Sequence, residues 1–199
     1  MSALLDRLAA TARQRGLLDA GATVSAPSVF ALIRDMPYRR ASSRRPETII
    51  DEWRGTCSGK HYLLHALFQE LGLASQLCLA THVFDEAGTR HFPPALHAEA
   101  VTAPVPDVHT FLRVRSPAGW MDVDATWPRA ARRLGLPVNE RFVSGESMRL
   151  ACSPIEVFEI PAGAEPQAVK EAVIARHCAG HVERRERFIE ALGVWLAQA

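Results

Sequence analysis

The chain reads as an α+β fold, with helices first, an antiparallel sheet in the middle and helices last. Three observations predict this. Apolar residues recur at helical spacing up to Leu73. The period moves toward two between Gln76 and Asp124, around a tight Ser116-Pro-Ala-Gly119 turn. Helical spacing then returns from Pro166 to Ala197. With 199 residues, 48% apolar and 23% charged, the chain has the size and composition of one ordinary domain spanning 1–199.

Each element has its own signal. Leu4, Leu5 and Leu8 give residues 3–15 an amphipathic helical face. Ser25-Ala-Pro27 starts a second helix, with Val29, Phe30, Ile33 and Met36 on one side and Pro37 at its end. Tyr38 to Pro46 is a basic loop. Residues 56–73 make the strongest helix, begun by Thr56 or Ser58 and ended by Gly72. Gln76 to Phe84 reads as a strand, followed by an Asp85–Gly88 turn. A short strand is predicted at 97–102. Residues 109–115 and 120–124 form a hairpin. Arg129 to Leu134 is a helical turn, and Ile155 to Ile160 a further strand. Two helices close the chain, over Pro166–Cys178 and His181–Ala197.

Charge and composition exclude several function classes. Net charge is +1, which gives no global drive toward nucleic acid or membrane. No run approaches the roughly 20 apolar residues a membrane span needs. Asp6 and Arg7 break the apolar core that a secretory leader requires, so a cytoplasmic protein is expected. The four cysteines, Cys57, Cys78, Cys152 and Cys178, form no C-x-x-C pair and read as free thiols.

One cysteine has a distinctive setting. Cys57 opens the strongest helix, where unpaired N–H groups and the helix dipole favour thiolate over thiol. The same N–H groups can receive a developing oxyanion. A cysteine nucleophile also needs a base and a group that orients the base. The hairpin offers both. His109 opens one strand and Asp124 closes the other, nearly opposite if the turn centres on residues 117–118. Asp122 is a rival orienter and His97 a rival base.

The segments RGTCSGKHYLLHALFQELGL (54–73) and HTFLRV…GWMDVDATWP (109–128) carry this set in order. Gly55-Thr-Cys57 opens a helix running to Leu71-Gly72. His109-Thr-Phe111 follows, then Gly119-Trp-Met-Asp-Val-Asp124-Ala-Thr126, with Met36-Pro37-Tyr38 as lead-in. The pattern resembles the transglutaminase-like superfamily, the papain-related Cys-His-Asp group, over a core of about residues 28–128. The resemblance implies a papain/transglutaminase-like core, its nucleophile helix packed on an antiparallel sheet. Extra N- and C-terminal helices flank it, with a C-terminal helical extension at about 165–199. It implies Cys57 as nucleophile, His109 as base and later acid, and Asp124 as orienter. The relatives' second oxyanion donor is a Gln or Trp upstream of the cysteine. No Gln lies between Ala26 and Thr56, so Trp53 and Tyr38 are the candidates, with Trp120 as a candidate site wall.

The expected activity is hydrolysis or transfer of an amide or isopeptide acyl group through a thioacyl intermediate on Cys57, with hydrolysis favoured. The alternative is a catalytically silent binding module of the same fold. No organic cofactor or metal is implied, and no acidic loop is present to hold calcium. Cys57, His61 and His65 share a helix face, but the rise of about 12 Å from residue 57 to 65 is too long for one ion. The histidines are therefore expected to be satisfied or partly exposed, and Lys60 to face solvent. The expected partner is a peptide-like or small acyl substrate. It could be anionic if Arg39, Arg40, Arg44, Arg45, Arg129, Arg132 and Arg133 form one patch rather than solvated loops. Neither nucleic acid nor membrane is expected as a partner, and the oligomeric state is left open.

Overall fold

The computed structural model describes residues 3–198. Four helices precede the sheet: α1 (Ala3–Gln14), α2 (Ala26–Asp35), α3 (Pro46–Glu52) and α4 (Cys57–Glu70). β1 (Ser75–Phe84) leads through α5 (Glu86–Thr89) and α6 (Pro94–Thr102) to β2 (Val105–Ser116) and β3 (Gly119–Val123). A 3-10 turn at Arg129–Leu134, β4 (Glu156–Glu159), α7 (Pro166–His177) and α8 (Val182–Leu196) complete the chain. The fold is α+β around one antiparallel sheet ordered β3-β2-β1-β4.

Three elements differ from the sequence reading. Strand β2 begins at Val105, so His109 lies inside it rather than opening it. Residues 97–102 belong to α6, not to a strand. Pro94 supplies the preset first turn, and Ala, Leu and Glu carry the helix onward. Helix α3, directly after the basic loop, was not anticipated. Its signals are Pro46 at the first position, Glu47 in the first turn, and buried Ile49 and Ile50.

Two apolar cores meet near the sheet. The larger joins α1–α4 to the strands through Phe30, Ile33, Leu63, Phe68, Leu79 and Leu112. The smaller gathers Phe188, Ile189 and Leu192 of α8 around Tyr38, Phe92 and Trp127. Helix α4 packs across β1 and β2. It stops at Gly72, whose φ of +75° only glycine adopts readily. There Leu73 N–H donates to the Phe68 carbonyl at 2.8 Å. Helices α7 and α8 also pack on β2, and they close one side of the region around Cys57. No helix among the described residues is long and apolar enough to cross a membrane.

Candidate active site

Cys57 is the first residue of α4. The N-cap, Thr56, makes no side-chain cap bond, so no side chain competes for the first-turn N–H groups. The loop before it runs close. Gly55 N–H donates to the Pro37 carbonyl at 3.2 Å. A Cβ at Gly55 would lie 3.2 Å from the Lys60 backbone nitrogen. Small size at that position lets the loop lie against the first turn of α4 and Ile49 of α3.

His109 and Asp124 meet as anticipated, by a different route. The hairpin register pairs Ser116 with Gly119 and ends at Leu112 with Val123. Continued, it would set His109 opposite Thr126. The strand ends first, and Asp124 reaches the ring diagonally, with 2.8 Å from His109 Nε2 to Asp124 Oδ2. Nδ1 is left as the ring nitrogen free to serve the sulfur, and His109 and Cys57 each shift the other's titration.

Asp124 is buried but well served. Thr126 N–H donates to Oδ1 at 2.9 Å and Ala151 N–H to Oδ2 at 2.7 Å. Asn139 Nδ2 fixes its backbone carbonyl at 2.9 Å. Burial alone would raise this carboxyl. The His109 charge and hydrogen bond, with that of Thr126, hold it well below the usual carboxylate range. Burial lowers His109 in turn, but Asp124 and then Cys57 raise it well above an ordinary imidazole. For Cys57, burial raises the thiol. The Lys170 charge and then the nearby His109 ring outweigh burial and bring the thiol down to about 5. Cys78, Cys152 and Cys178 are each pushed by burial up to about 11.

The remaining sequence candidates separate. Tyr38 lines the same cavity as Cys57 and packs on Trp127 at 5.0 Å between centroids. Burial and the nearby Cys57 and Asp107 hold its phenol neutral, so it can donate. Trp53 does not line the cavity. It ends α3 at a φ of 51°, and its indole joins the main core under the Arg15 guanidinium. Trp120 is no site wall: it is 51% exposed on β3 and pairs with Arg115. Asp122 is taken by Arg113 at 3.2 Å, and His97 by Thr89 at 3.0 Å.

Lys60 is fully buried rather than solvated, donating to the carbonyls of Arg34 and Thr126 at 2.8 and 2.9 Å. Burial lowers it to about 7. His61 uses both ring nitrogens, on the Cys57 carbonyl and the Ala125 N–H, so neither is left for a metal. Among the described residues no group of three His, Cys, Asp or Glu side chains is arranged to hold an ion. The arginines do not form one patch. Arg40 and Arg44 reach the cavity, whereas Arg129 and Arg132 pair with Glu140 at 3.6 and 3.0 Å.

Sequence reasoning missed two site residues. Lys170 of α7 lies 3.5 Å from the Cys57 sulfur. Arg185 of α8 binds Asp107 at 2.5 Å. A signal for the first existed: of 23 basic residues only two are lysines, and both are buried beside the start of α4.

The cavity beside Cys57 has a volume of about 260 Å³. Its floor carries Cys57, Ser58 and Asp107, and α7 and α8 supply Lys170, Ile174, Arg185 and Ile189. An adjoining depression of about 600 Å³ shares Arg44 and Gln167 with it. Comparison with family models, with curated proteins and with solved structures finds no match to this chain.

Proposed function

We propose that this protein is a cysteine-dependent acyl enzyme with a papain/transglutaminase-like core. It would cleave or transfer an amide or isopeptide acyl group. The observation that carries the reading is the buried His109–Asp124 bond of 2.8 Å beside a cysteine at a helix start. Cys57 Sγ attacks the carbonyl and a thioacyl bond forms. His109 gives its proton to the departing amine, and Asp124 keeps the ring aligned. Water then releases the acid, or a second amine takes the acyl group. The cavity volume suits a short acyl chain, and the shared depression leaves room for a peptide-like leaving group.

The test is acid-quenched intact-mass analysis of protein mixed with short isopeptides and small amides. A transient acyl adduct on Cys57, absent in Cys57→Ala, is the expected result. Iodoacetamide labelling at about pH 6 supplies a second readout. It should modify Cys57 and spare the three cysteines held near 11. Equal labelling of all four would sink the enzyme reading and favour a silent binding module.

A further inference from the structure

Lys170 is 3% exposed. Its Nζ has three acceptors: Ser58 Oγ at 2.9 Å, Thr110 Oγ1 at 3.0 Å and Cys57 Sγ at 3.5 Å. Three acceptors match the three N–H groups of an ammonium. The two hydroxyls lie 3.2 Å apart, so one donates to the other while both accept from the lysine. This fixes the nitrogen. Among the described residues Lys170 makes no carboxylate ion pair. The Asp107 carboxylate acts on it through charge but is itself held by Arg185 and His82. A buried ammonium with no anion in contact costs several kcal/mol, and the group it touches that can become an anion is the sulfur.

We infer that Lys170 is a further catalytic residue of the proposed acyl chemistry. It is the resident counter-ion of the Cys57 thiolate and the side-chain donor to the acyl oxygen during attack. When the C–S bond forms, the carbonyl electron pair moves onto oxygen. The negative charge leaves sulfur and appears two bonds away. The Nζ–H that served the sulfur is released to serve that oxygen, beside the first-turn N–H groups of α4. Collapse re-forms the carbonyl and breaks the C–N bond, and the amine departs with the His109 proton. Lys170 gives up no proton. It therefore still faces the sulfur when deacylation returns the thiolate. This fills the position for which no upstream Gln exists.

The inference rests on the proposed function, and the experiment separates the two. Full-length wild type, Lys170→Met, Lys170→Arg and His109→Ala are compared by the pH dependence of iodoacetamide alkylation at Cys57. Lys170→Met should move the half-labelling pH up by about 1 to 3 pH units. Lys170→Arg should stay near wild type. His109→Ala should keep part of its low-pH labelling. At about pH 9, single-turnover acylation by p-nitrophenyl acetate should fall about 10²-fold more than alkylation in Lys170→Met. An unshifted Lys170→Met beside a reactive wild type overturns this inference and leaves the proposed function standing. Equal losses of acylation and alkylation overturn the donor role. A wild-type Cys57 that alkylates only above about pH 8, like an ordinary thiol, overturns both. Should Lys170→Met not fold, the wild type still decides. Anionic iodoacetate should gain on neutral iodoacetamide at Cys57 relative to glutathione, and an equal ratio overturns the counter-ion.

Discussion

His61 accepts the backbone N–H of Ala125 at 2.9 Å, and its other nitrogen donates to the Cys57 carbonyl at 2.7 Å. One imidazole thus ties Cys57 to the residue after Asp124. The two bonds fix the tautomer: Nδ1 carries the hydrogen and Nε2 accepts. A second proton would break the Ala125 bond. Burial pushes the ring down from 6.5 to about 4, although Asp124 lies 3.6 Å away and opposes the shift.

This lowering predicts a pH effect on stability. Between 6.5 and about 4 the unfolded chain carries a proton on residue 61 that the folded chain lacks. The contribution is therefore complete above about 6.5 and is lost as pH falls, by about 3 kcal/mol at the lower end. Urea unfolding from about pH 7.5 to 4.5 should show this slope in wild type and a shallower one in His61→Gln. Equal slopes would mean that His61 protonates without opening the fold.

Asp124 accepts only N–H donors: the His109 ring, Thr126 and Ala151. Asparagine keeps the size but brings an NH₂ that must face at least one of those donors. His109 then loses its fixed tautomer, and acylation of Cys57 should fall about 10²- to 10⁴-fold. Stopped-flow acylation with an activated ester measures it. A rate within about threefold of wild type would remove Asp124 from the mechanism.

How much of this site could be read from residues alone depends on chain distance. Cys57 and Asp124 sit at element boundaries that local pattern marks, a helix start and a hairpin end, and His109 sits within an alternating strand. The diagonal approach of Asp124 was hidden because it depends on where β3 stops. Lys170 was hidden for a different reason. It lies 113 residues beyond Cys57, and inside α7 it occupies a core-facing position beside Val173. Local pattern treats a helical lysine as solvated. Only the scarcity of lysine in an arginine-rich chain set it apart. Trp53 and Trp120 show the reverse. Their aromatic character suggested a site, but a left-handed turn and an exposed strand face placed them elsewhere.

Asp107 and Arg185 form a buried pair at 2.5 Å, with His82 Nε2 at 3.4 Å from the second carboxylate oxygen. Burial would raise the Asp107 carboxyl. The His82 hydrogen bond and the Arg185 charge hold it well below the ordinary range. The pair joins β2 to α8 and so holds one wall of the cavity. Arg185→Met leaves the buried Asp107 carboxylate without its guanidinium partner and should cost about 3–5 kcal/mol. At roughly 2–4 °C per kcal/mol, melting should drop by about 10 °C. Asp107→Asn with Arg185→Met removes both charges and should recover much of that loss. Additive melting shifts in the double-mutant cycle would show that the pair is not coupled.

Gly59 lies in the first turn of α4, where alanine would ordinarily gain about 1 kcal/mol in helix propensity. Here a Cβ would come 2.7 Å from Cδ1 of Ile49 on α3, inside any normal contact. Gly59→Ala must therefore displace the Ile49 Cδ1 methyl within the buried core, at a cost of about 1–3 kcal/mol. Cys57 is two residues away, so its alkylation rate should fall with stability. Ile49→Val deletes the offending Cδ1 and alone costs about 0.5–1.5 kcal/mol. The double variant gives the added methyl its room and lets the propensity gain appear. It should be more stable than Gly59→Ala alone and recover Cys57 alkylation. Thermal melts of the wild type, the two single variants and the double variant decide it. A double variant less stable than Gly59→Ala would mean that the Ile49 contact is not what holds this position to glycine.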